Sequence, residues 1–292
     1  MGSISLIEQV SRMQKRMLVV LAHPDDESFG MGGSLAKYAA EGVEVHVVIA
    51  TDGAVGSVAE GFEDAREKLV EVRRVELERA TAILGAQLHR LEYRDSGMRG
   101  DPGNDHPSAF IRCDDQAAIG RIVRLIREIR PQVVVTHDET GGYFHPDHIR
   151  CWQIVTAAFE QAGDPTRYPE LNLPAFRPER LYYTAFSNRW VKLFVWIARL
   201  RRQDPTRFGR NHDIDLTKLG IPAARLHAHI NFRRYWDVRN EASSAHASQG
   251  GGGGGRAGFV PEWLQKLLMA TETFIRAYPP APDGFRERDL FP

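Results

Sequence analysis

The chain has 292 residues, with 38 basic and 38 acidic side chains, 42% hydrophobic residues and 9% aromatic residues. This length and composition fit one large α/β domain, with or without an appended lobe, and exclude a chain that is disordered throughout. The formal net charge of zero argues against nucleic acid as the main partner, because binding to a phosphate backbone usually requires a surplus of Lys and Arg.

The first half of the chain alternates between apolar strands and amphipathic helices. Continuous β-type apolar runs are typical of strands that are buried on both faces of a parallel sheet. Their alternation with helices predicts a Rossmann-like, mostly parallel sheet flanked by helices. Predicted strands cover 17–22, 43–51, 88–93 and 133–136, predicted helices cover 32–40, 65–84, 115–129 and 146–163, and predicted loops cover 52–64 and 94–113.

The second half of the chain is less regular. We predict a strand at 181–186 and helices at 190–202, 225–242 and 260–278. The fold class is therefore α/β: a Rossmann-like core (1–180) and an irregular C-terminal α+β lobe (181–292) that belongs to the same domain and shapes the substrate site. Six successive glycines at 250–255 predict a flexible surface loop, with a lid over the site as the alternative.

The cysteines and the apolar segments indicate a cytoplasmic protein. Cys113 and Cys151 are too few for a disulfide framework or for a thiolate zinc site. No run approaches the roughly 20 apolar residues of a membrane span, and the run 17–22 is shorter than a signal-peptide core. The basic, apolar segment 190–199 is predicted to pack on the main domain or on another subunit, rather than on a lipid surface. A homo-oligomer is left open.

Dense groups of His and Asp follow four predicted strands. His-Pro-Asp-Asp-Glu-Ser follows the first strand at 23–28, and Thr-Asp-Gly follows the second at 51–53. Tyr-Arg-Asp-Ser-Gly follows the third at 93–97, and Thr-His-Asp with Gly-Gly-Tyr-Phe-His-Pro-Asp-His follows the fourth within 136–148. Ligands of open parallel sheets gather beyond the carboxyl ends of the strands. The pattern therefore predicts one functional site on this rim.

Imidazole and carboxylate are the ligands of a catalytic zinc when thiolates are absent, usually three of them with a fourth position for water. His23 and Asp26 lie three residues apart on a tight turn, and His148 lies in the first turn of its predicted helix, so the three can converge on one ion. Asp25 and His145 then point into the same space. A carboxylate beside a metal is a natural general base, and a histidine opposite it can stabilise an oxyanion or protonate a leaving amine.

These residues carry a resemblance to a known family. Ala-His-Pro-Asp-Asp-Glu-Ser (22–28) and Gly-Gly-Tyr-Phe-His-Pro-Asp-His (141–148) resemble the paired signatures of the LmbE/PIG-L family of zinc-dependent N-deacetylases. Arg-Arg-Val-Glu-Leu (73–77), Arg-Asp-Ser-Gly-Met (94–98) and His-Ala-Ser-Gln (246–249) are similar to segments of its mycothiol branch. The Arg-Cys pair at 150–151, Leu-Tyr-Tyr at 181–183 and Asp-Leu-Phe at 289–291 look more like a mycothiol S-conjugate amidase than a deacetylase.

The resemblance implies a role for each matching residue. It implies that the metal is Zn²⁺, with Fe²⁺ as an alternative in the cell, and that the substrate is a small amino sugar or glycoconjugate. The implied metal ligands are His23, Asp26 and His148. The implied catalytic residues are Asp25 as base, His145 as polarising acid, Asp147 as the residue that tunes His145, and Tyr143 at the substrate carbonyl, while Arg73 and Asp95 match sugar-contacting positions. His246 and Gln249 are predicted to form a substrate-facing pair.

The predicted activity is hydrolysis of an N-acetyl or related N-acyl amide on an amino sugar, by attack of a zinc-bound water that Asp25 assists. Cleavage of the cysteinyl amide of a mycothiol S-conjugate is the alternative. A dinucleotide-binding protein is disfavoured because Leu35 replaces the third glycine of the phosphate-binding fingerprint and acidic residues follow the first strand. A non-catalytic sugar-binding module is disfavoured because the proposed ligands and the acid–base residues are all present.

Overall fold

A seven-stranded mixed sheet forms the centre of the computed structural model, which describes residues 14–207, 214–251 and 261–292. The strand order is β3-β2-β1-β4-β5-β7-β6. Strands β1 to β5 pair in parallel, and β7 runs antiparallel between β5 and β6. The strands are β1 (Arg16–Leu21), β2 (Glu44–Thr51), β3 (Gln87–Tyr93), β4 (Val133–Thr136), β5 (Arg180–Ala185), β6 (Ala228–Asn231) and β7 (Thr271–Tyr278).

Helices connect the parallel strands and cover both faces of the sheet. The α-helices are α1 (Asp26–Ala40), α2 (Leu69–Leu84), α3 (Asp115–Ile129), α4 (Gly141–Phe144), α5 (Pro146–Ala162), α6 (Asn188–Leu200), α7 (Trp236–Ala245) and α8 (Glu262–Met269). Short 3₁₀ helices occupy Glu63–Lys68, Pro102–Asp105, Phe110–Arg112, Pro169–Leu171, Leu216–Lys218, Ala223–Arg225, Arg233–Tyr235 and Ala247–Gln249.

The alternating side chains of β1 build two separate cores. Met17, Val19 and Leu21 pack with α1 and α2 on one face, whereas Leu18 and Val20 pack with α3 and α5 on the other. All five side chains are at most 1% exposed. Successive strand residues point to opposite faces of a sheet, so an unbroken apolar run is what a doubly covered central strand requires.

The order in which the chain adds strands to the sheet reverses between β1 and β4. From β1 the chain adds β2 and then β3 on one side, and afterwards returns to add β4 and β5 on the other side. Such a reversal leaves a crevice beyond the carboxyl ends of the two strands at which it occurs, and ligands of open α/β sheets bind there. The loops that follow β1 and β4 carry the two histidine-rich motifs.

The predicted α/β fold class is confirmed, and so are the strands and helices of the first half to within a few residues. The predicted helices 115–129 and 146–163 correspond to α3 and α5. The first predicted helix, 32–40, begins earlier, at Asp26, and has non-helical dihedral angles at Met31. The helix predicted at 65–84 is a 3₁₀ turn followed by α2.

Two predictions in the second half are wrong. The helix predicted at 225–242 is instead strand β6 followed by α7, and the helix predicted at 260–278 is α8 followed by strand β7. In β6, the buried residues Ala228 and Ile230 alternate with more exposed residues, as expected for a strand. The sequence Thr-Glu-Thr-Phe-Ile-Arg-Ala-Tyr of β7 is rich in β-branched and aromatic residues. Both strands extend the main sheet, so tertiary pairing determines their conformation.

Helix α6 includes the basic, apolar segment 190–199, for which docking on a lipid surface is the alternative prediction. Val191 and Ala198 are buried, whereas Leu193, Trp196 and Leu200 are exposed. Within the described residues, no helix combines the length and the apolarity needed to cross a membrane. Of the predicted six-glycine loop, 252–255 lies outside the described residues.

Candidate active site

The site lies in the crevice beyond β1 and β4 and is assembled from two loops and a helix terminus. His23 follows β1, and His145 is the N-cap residue of α5, where its Nδ1 accepts the backbone N–H of Asp147 at 3.2 Å. Pro146 occupies the first turn of α5, where a missing N–H costs nothing. His148 follows in the same turn. The short loop between strand and helix therefore brings both histidines to the crevice.

Three side-chain atoms converge in this crevice as the sequence predicts. His23 Nδ1 lies 3.1 Å from His148 Nε2 and 3.6 Å from Asp26 Oδ2, and His148 Nε2 lies 3.4 Å from Asp26 Oδ2. Ligands about 2.0–2.2 Å from a tetrahedral zinc are separated by about 3.3 Å. The spacing and the donor set therefore fit a small divalent cation with a fourth position free.

In His23 and His148, hydrogen bonds to the second ring nitrogen orient the nitrogen that faces the other two ligands. His148 Nδ1 lies 3.1 Å from the Gly141 carbonyl oxygen, to which it donates. His23 Nε2 lies 3.2 Å from Asp147 Oδ2 and 3.5 Å from Asp95 Oδ1. Donation from the far nitrogen fixes the tautomer and leaves the lone pair of the near nitrogen available to a metal. The carboxylate of Asp147 thus contacts His23. Asp147 contacts His145 through its backbone N–H, which donates to His145 Nδ1.

His137 supports the site from β4. Its ring stacks on that of His148 with centroids 3.9 Å apart, and its Nε2 accepts the backbone N–H of Ala22 at 3.1 Å. The same Nε2 lies 3.5 Å from Asp26 Oδ2. Because its lone pair receives a backbone N–H, His137 packs against the converging atoms without adding another free ligand.

Mutual electrostatic interactions shift the pKa values of the converging groups. Burial alone would raise the pKa of Asp26, but His148, His137 and His23 around it hold that pKa well below its usual range. Burial lowers the pKa of His148. Burial also opposes a charge on His23, yet the carboxylates of Asp95, Asp147 and Asp26 raise its pKa well above the usual value. The carboxylates that favour a proton on His23 would equally favour a cation in place of that proton.

Asp25 occupies an unusual position beside this cluster. Its backbone has φ 131°, a conformation that side chains rarely adopt, and its N–H donates to Glu27 Oε2 at 3.0 Å. Burial raises the pKa of its carboxyl group to about 6, although the neighbouring Arg73 opposes the shift. Backbone strain and a raised carboxyl pKa are both common at catalytic positions.

The two predicted sugar-contacting residues are buried and have partners within the protein. Arg73 is 2% exposed and donates to Asp25 Oδ2 at 3.1 Å, to the Gly53 carbonyl at 3.0 Å and to the Pro24 carbonyl. Asp95 is 3% exposed and accepts the Gly97 N–H at 2.9 Å. In this conformation Arg73 acts on Asp25, and Asp95 acts on His23.

His145 and Tyr143 stand beside the converging atoms. The ring of His145 lies 4.5 Å from that of His23, and burial lowers the pKa of His145 to about 3. Since its Nδ1 accepts a backbone N–H, the neutral ring carries its proton on Nε2. The Tyr143 ring meets the rings of His145 and His148 edge-on at 5.7 and 5.0 Å, and burial raises the pKa of its hydroxyl. Both side chains are neutral hydrogen-bond donors.

The structure separates the remaining predicted pair. His246 has no exposed surface, and its Nε2 lies 2.6 Å from Oε1 of the equally buried Glu27. Gln249 is partly exposed and donates to Ser248 Oγ at 3.0 Å. A side chain without exposed surface cannot contact a substrate in this conformation. Sequence reasoning missed Glu27, although it directly follows the paired aspartates of the first motif.

Several of the residues that look amidase-like are buried, whereas Arg150 and Tyr183 are partly exposed and Asp289 is exposed. Cys151 is 1% exposed, and its thiol contacts Thr136 Oγ1 and the Val20 carbonyl. Leu290 and Phe291 are buried, and the Leu290 N–H donates to the hydroxyl of Tyr38. Because Cys151, Leu290 and Phe291 are at most 4% exposed, they stabilise the fold and offer no surface to a substrate in this conformation.

Comparison with known proteins gives matches along nearly the whole chain. The family model of PIG-L, described as GlcNAc-PI de-N-acetylase, matches residues 18–159. A 1D-myo-inositol 2-acetamido-2-deoxy-alpha-D-glucopyranoside deacetylase of Thermobifida fusca is 36% identical over 95% of this chain and 99% of its own. A mycothiol S-conjugate amidase of Streptomyces coelicolor is 37% identical over 95% of this chain and 97% of its own.

The fold is also shared with a solved structure of low sequence similarity. The N,N'-diacetylchitobiose deacetylase of Pyrococcus horikoshii has a TM-score of 0.59 at 18% identity, and the match covers 94% of each chain. At this identity the likeness shows a common fold and no more.

Proposed function

Since this chain belongs to the PIG-L family, we propose that it is a metal-dependent hydrolase that removes an acyl group from the nitrogen of an amino sugar. The observation that carries the proposal is the convergence of His23 Nδ1, Asp26 Oδ2 and His148 Nε2 within 3.6 Å of one another. Asp25 and His145, one on each motif, flank this cluster. The arrangement provides ligands, a base and an acid in a single crevice.

The three converging residues would hold Zn²⁺, or Fe²⁺ in the cell. A dication bound here supplies Lewis-acid chemistry, by lowering the pKa of a bound water and polarising a carbonyl. Asp95 and Asp147 fix the orientation of His23, and Gly141 fixes that of His148. Removal of such a supporting hydrogen bond typically costs roughly 10- to 100-fold in metal affinity or activity.

The remaining residues move the protons and bind the developing charge. Asp25 accepts a proton from the attacking water as the new C–O bond forms at the amide carbon. The Nε2–H of His145 and the hydroxyl of Tyr143 donate to the carbonyl oxygen as negative charge develops on it. The C–N bond then breaks, and the nitrogen leaves with the proton that Asp25 took from the water, which returns Asp25 to its ionised form. The products are a carboxylic acid and a free amine.

Two acyl groups are candidates within this reaction. Removal of acetate from an N-acetylglucosaminyl conjugate is one, and hydrolysis of a cysteinyl amide on the same amino sugar is the other. The relatives with these two activities are 36% and 37% identical to the chain, so similarity does not separate them. We propose the deacetylase activity as the main function, with the conjugate amidase activity as its alternative.

The test combines metal analysis with amine release. The purified protein is expected to contain one equivalent of metal and to release amine from an N-acetylglucosaminyl-inositol or from a mycothiol conjugate. The Asp25→Asn variant should keep its metal and lose about 10²- to 10⁴-fold in kcat, since it lacks the base. Asp105→Asn is the matched control, because the Asp105 side chain is 93% exposed and lies outside the crevice.

A specific pattern of results would overturn the proposal. If the protein binds no stoichiometric metal, and Asp25→Asn behaves like Asp105→Asn on every amide tested, the crevice is not a hydrolytic centre. Comparison of amine release from the acetyl and the cysteinyl substrates decides between the two acyl groups.

A further inference from the structure

A buried segment of the C-terminal half, residues 246–249, lies against the two helices that carry Asp25 and Arg73. It follows α7, which packs against both α1 and α2. We propose that His246 and Ser248 of this 246–249 segment, together with the buried glutamates they bind, are positioning residues for the general base and its arginine partner. The inference rests on the proposed function, in which Asp25 is the base.

The first connection joins the segment to the backbone of Asp25. His246 and Glu27 are both 0% exposed, and His246 Nε2 lies 2.6 Å from Glu27 Oε1. The other oxygen of the same carboxylate, Oε2, accepts the backbone N–H of Asp25 at 3.0 Å. The Ser28 hydroxyl donates to Oε1 at 2.6 Å. One buried carboxylate therefore links the imidazole of His246 directly to the main chain of the base.

The backbone of Asp25 needs such a support. A non-glycine residue at φ 131° is strained and persists only where surrounding contacts hold it. The N–H of Asp25 is fixed by Glu27, and Glu27 in turn is held by His246. Loss of the imidazole would leave a buried carboxylate oxygen short of a donor, which favours movement of the loop toward water.

The second connection joins the segment to the helix of Arg73. The backbone N–H of Ser248 donates to Glu76 Oε1 and its hydroxyl donates to Glu76 Oε2, both at 2.7 Å. Glu76 lies on α2, three residues after Arg73, so the two side chains share one face of the helix. The Ser248 carbonyl also accepts the Ala59 N–H at 2.7 Å. The 246–249 segment is thus connected to Asp25 through Glu27, and to the helix of Arg73 through Glu76.

A pair of amide substitutions at His246 tests the donor itself. The amide nitrogen of Gln can reach the position of Nε2, whereas that of Asn reaches the position of Nδ1. His246→Asn is therefore expected to lower kcat about 10- to 100-fold, with KM within about twofold of wild type, because misplaced catalytic groups cost this much. His246→Gln should recover kcat to within about threefold of wild type.

Ser248 provides an independent variant with a matched control. Ser248→Ala removes the hydroxyl bond to Glu76 and should lower kcat with little change in KM. Ser244→Ala makes the same chemical change four residues earlier, at an exposed hydroxyl that donates to the Asn240 carbonyl of its own helix. This control is expected to match wild type.

Hydrogen exchange measures positioning without any substrate. Amides of the peptide 23–28 should exchange faster in His246→Asn than in wild type or His246→Gln, at unchanged metal content. If exchange follows this order while no amide substrate is turned over, the proposed function fails and the structural link stands. If His246→Asn leaves both exchange and kcat unchanged, the positioning role is refuted. If it raises KM while kcat is kept, the positioning role is also refuted and a substrate contact replaces it.

Discussion

The guanidinium of Arg73 is enclosed by three oxygen acceptors and two glycines. It donates to Asp25 Oδ2 and to the carbonyls of Gly53 and Pro24. A Cβ atom placed on Gly53 or Gly56 would come within 2.6 or 2.3 Å of it. The loop is therefore shaped around a planar group that donates in several directions at once, which an ammonium group cannot reproduce.

Replacement of this group should affect turnover more than binding. Arg73→Lys keeps the charge but loses the planar guanidinium with its several N–H donors. We therefore expect kcat to fall about 10- to 100-fold while KM changes little. Steady-state kinetics measure this, with Arg66→Lys as the control, since Arg66 makes an exposed bond to the Gly56 carbonyl. A rise in KM with kcat preserved would instead support the sugar contact that the sequence pattern predicts.

The convergence of residues could be predicted where a motif is local, and not where the partners are distant in the chain. His23, Asp25 and Asp26 are contiguous, and His145 and His148 share one turn, so spacing alone indicates a common site. The contact of Asp147 with His23 spans 124 positions and that of His246 with Glu27 spans 219. Only the packing of the sheet and its helices brings such pairs together, and the sequence-based assignments of Asp147 and His246 therefore missed their partners.

Helix α1 is interrupted, and a residue from a distant strand supports the break. Met31 has φ −150° inside the helix, which frees backbone N–H groups at the start of the following turn. Glu272 on β7 accepts the N–H of Gly33 at 2.9 Å and that of Ser34 at 2.7 Å. One carboxylate thus acts as a cap for the second half of α1, in the position that an N-cap side chain would occupy.

Removal of this cap should destabilise the fold. Glu272→Ala leaves two buried N–H groups without partners, at about 1–3 kcal/mol each, so the free energy of unfolding should fall by roughly 2–6 kcal/mol. Urea denaturation measures the change. Glu41→Ala is the control, because the exposed Glu41–Lys37 pair contributes only about 0.5 kcal/mol. Equal stabilities of the two variants would contradict a capping role for Glu272.

Elements whose conformation follows from local periodicity were predicted correctly, and those fixed by sheet pairing were not. The run 17–22 is apolar throughout, and α3 has one apolar face with Asp114 as its N-cap, so both are determined locally. Strand β6 is followed by helical sequence and β7 is preceded by it, and in each case no Gly or Pro separates the strand from the helix. The strand conformation of β7 depends on pairing with β5 across 88 or more residues of chain, and that of β6 on pairing with β7 across 40 to 46 residues.

The proposed metal centre depends on the fold of the whole molecule. His23 and His148 are separated by 125 positions, and only the parallel pairing of β1 with β4 brings their loops to the same crevice. The unfolded chain cannot hold these ligands in one geometry, so an ion binds the folded state selectively. Such binding stabilises the fold in proportion to the logarithm of the ion concentration.

Chelation should therefore lower thermal stability in a manner that depends on this site. At free Zn²⁺ of about 100 times its Kd, linkage adds about 2.7 kcal/mol, or roughly 5 °C in the unfolding midpoint of a protein of this size. Scanning calorimetry should show this shift between chelated and zinc-loaded wild type, and its loss in His148→Ala. His89→Ala is the control for adventitious binding, because His89 Nε2 and His46 Nδ1 lie 3.0 Å apart outside the crevice. A zinc shift that persists in His148→Ala and disappears in His89→Ala would place the ion at that other pair and refute the metal centre.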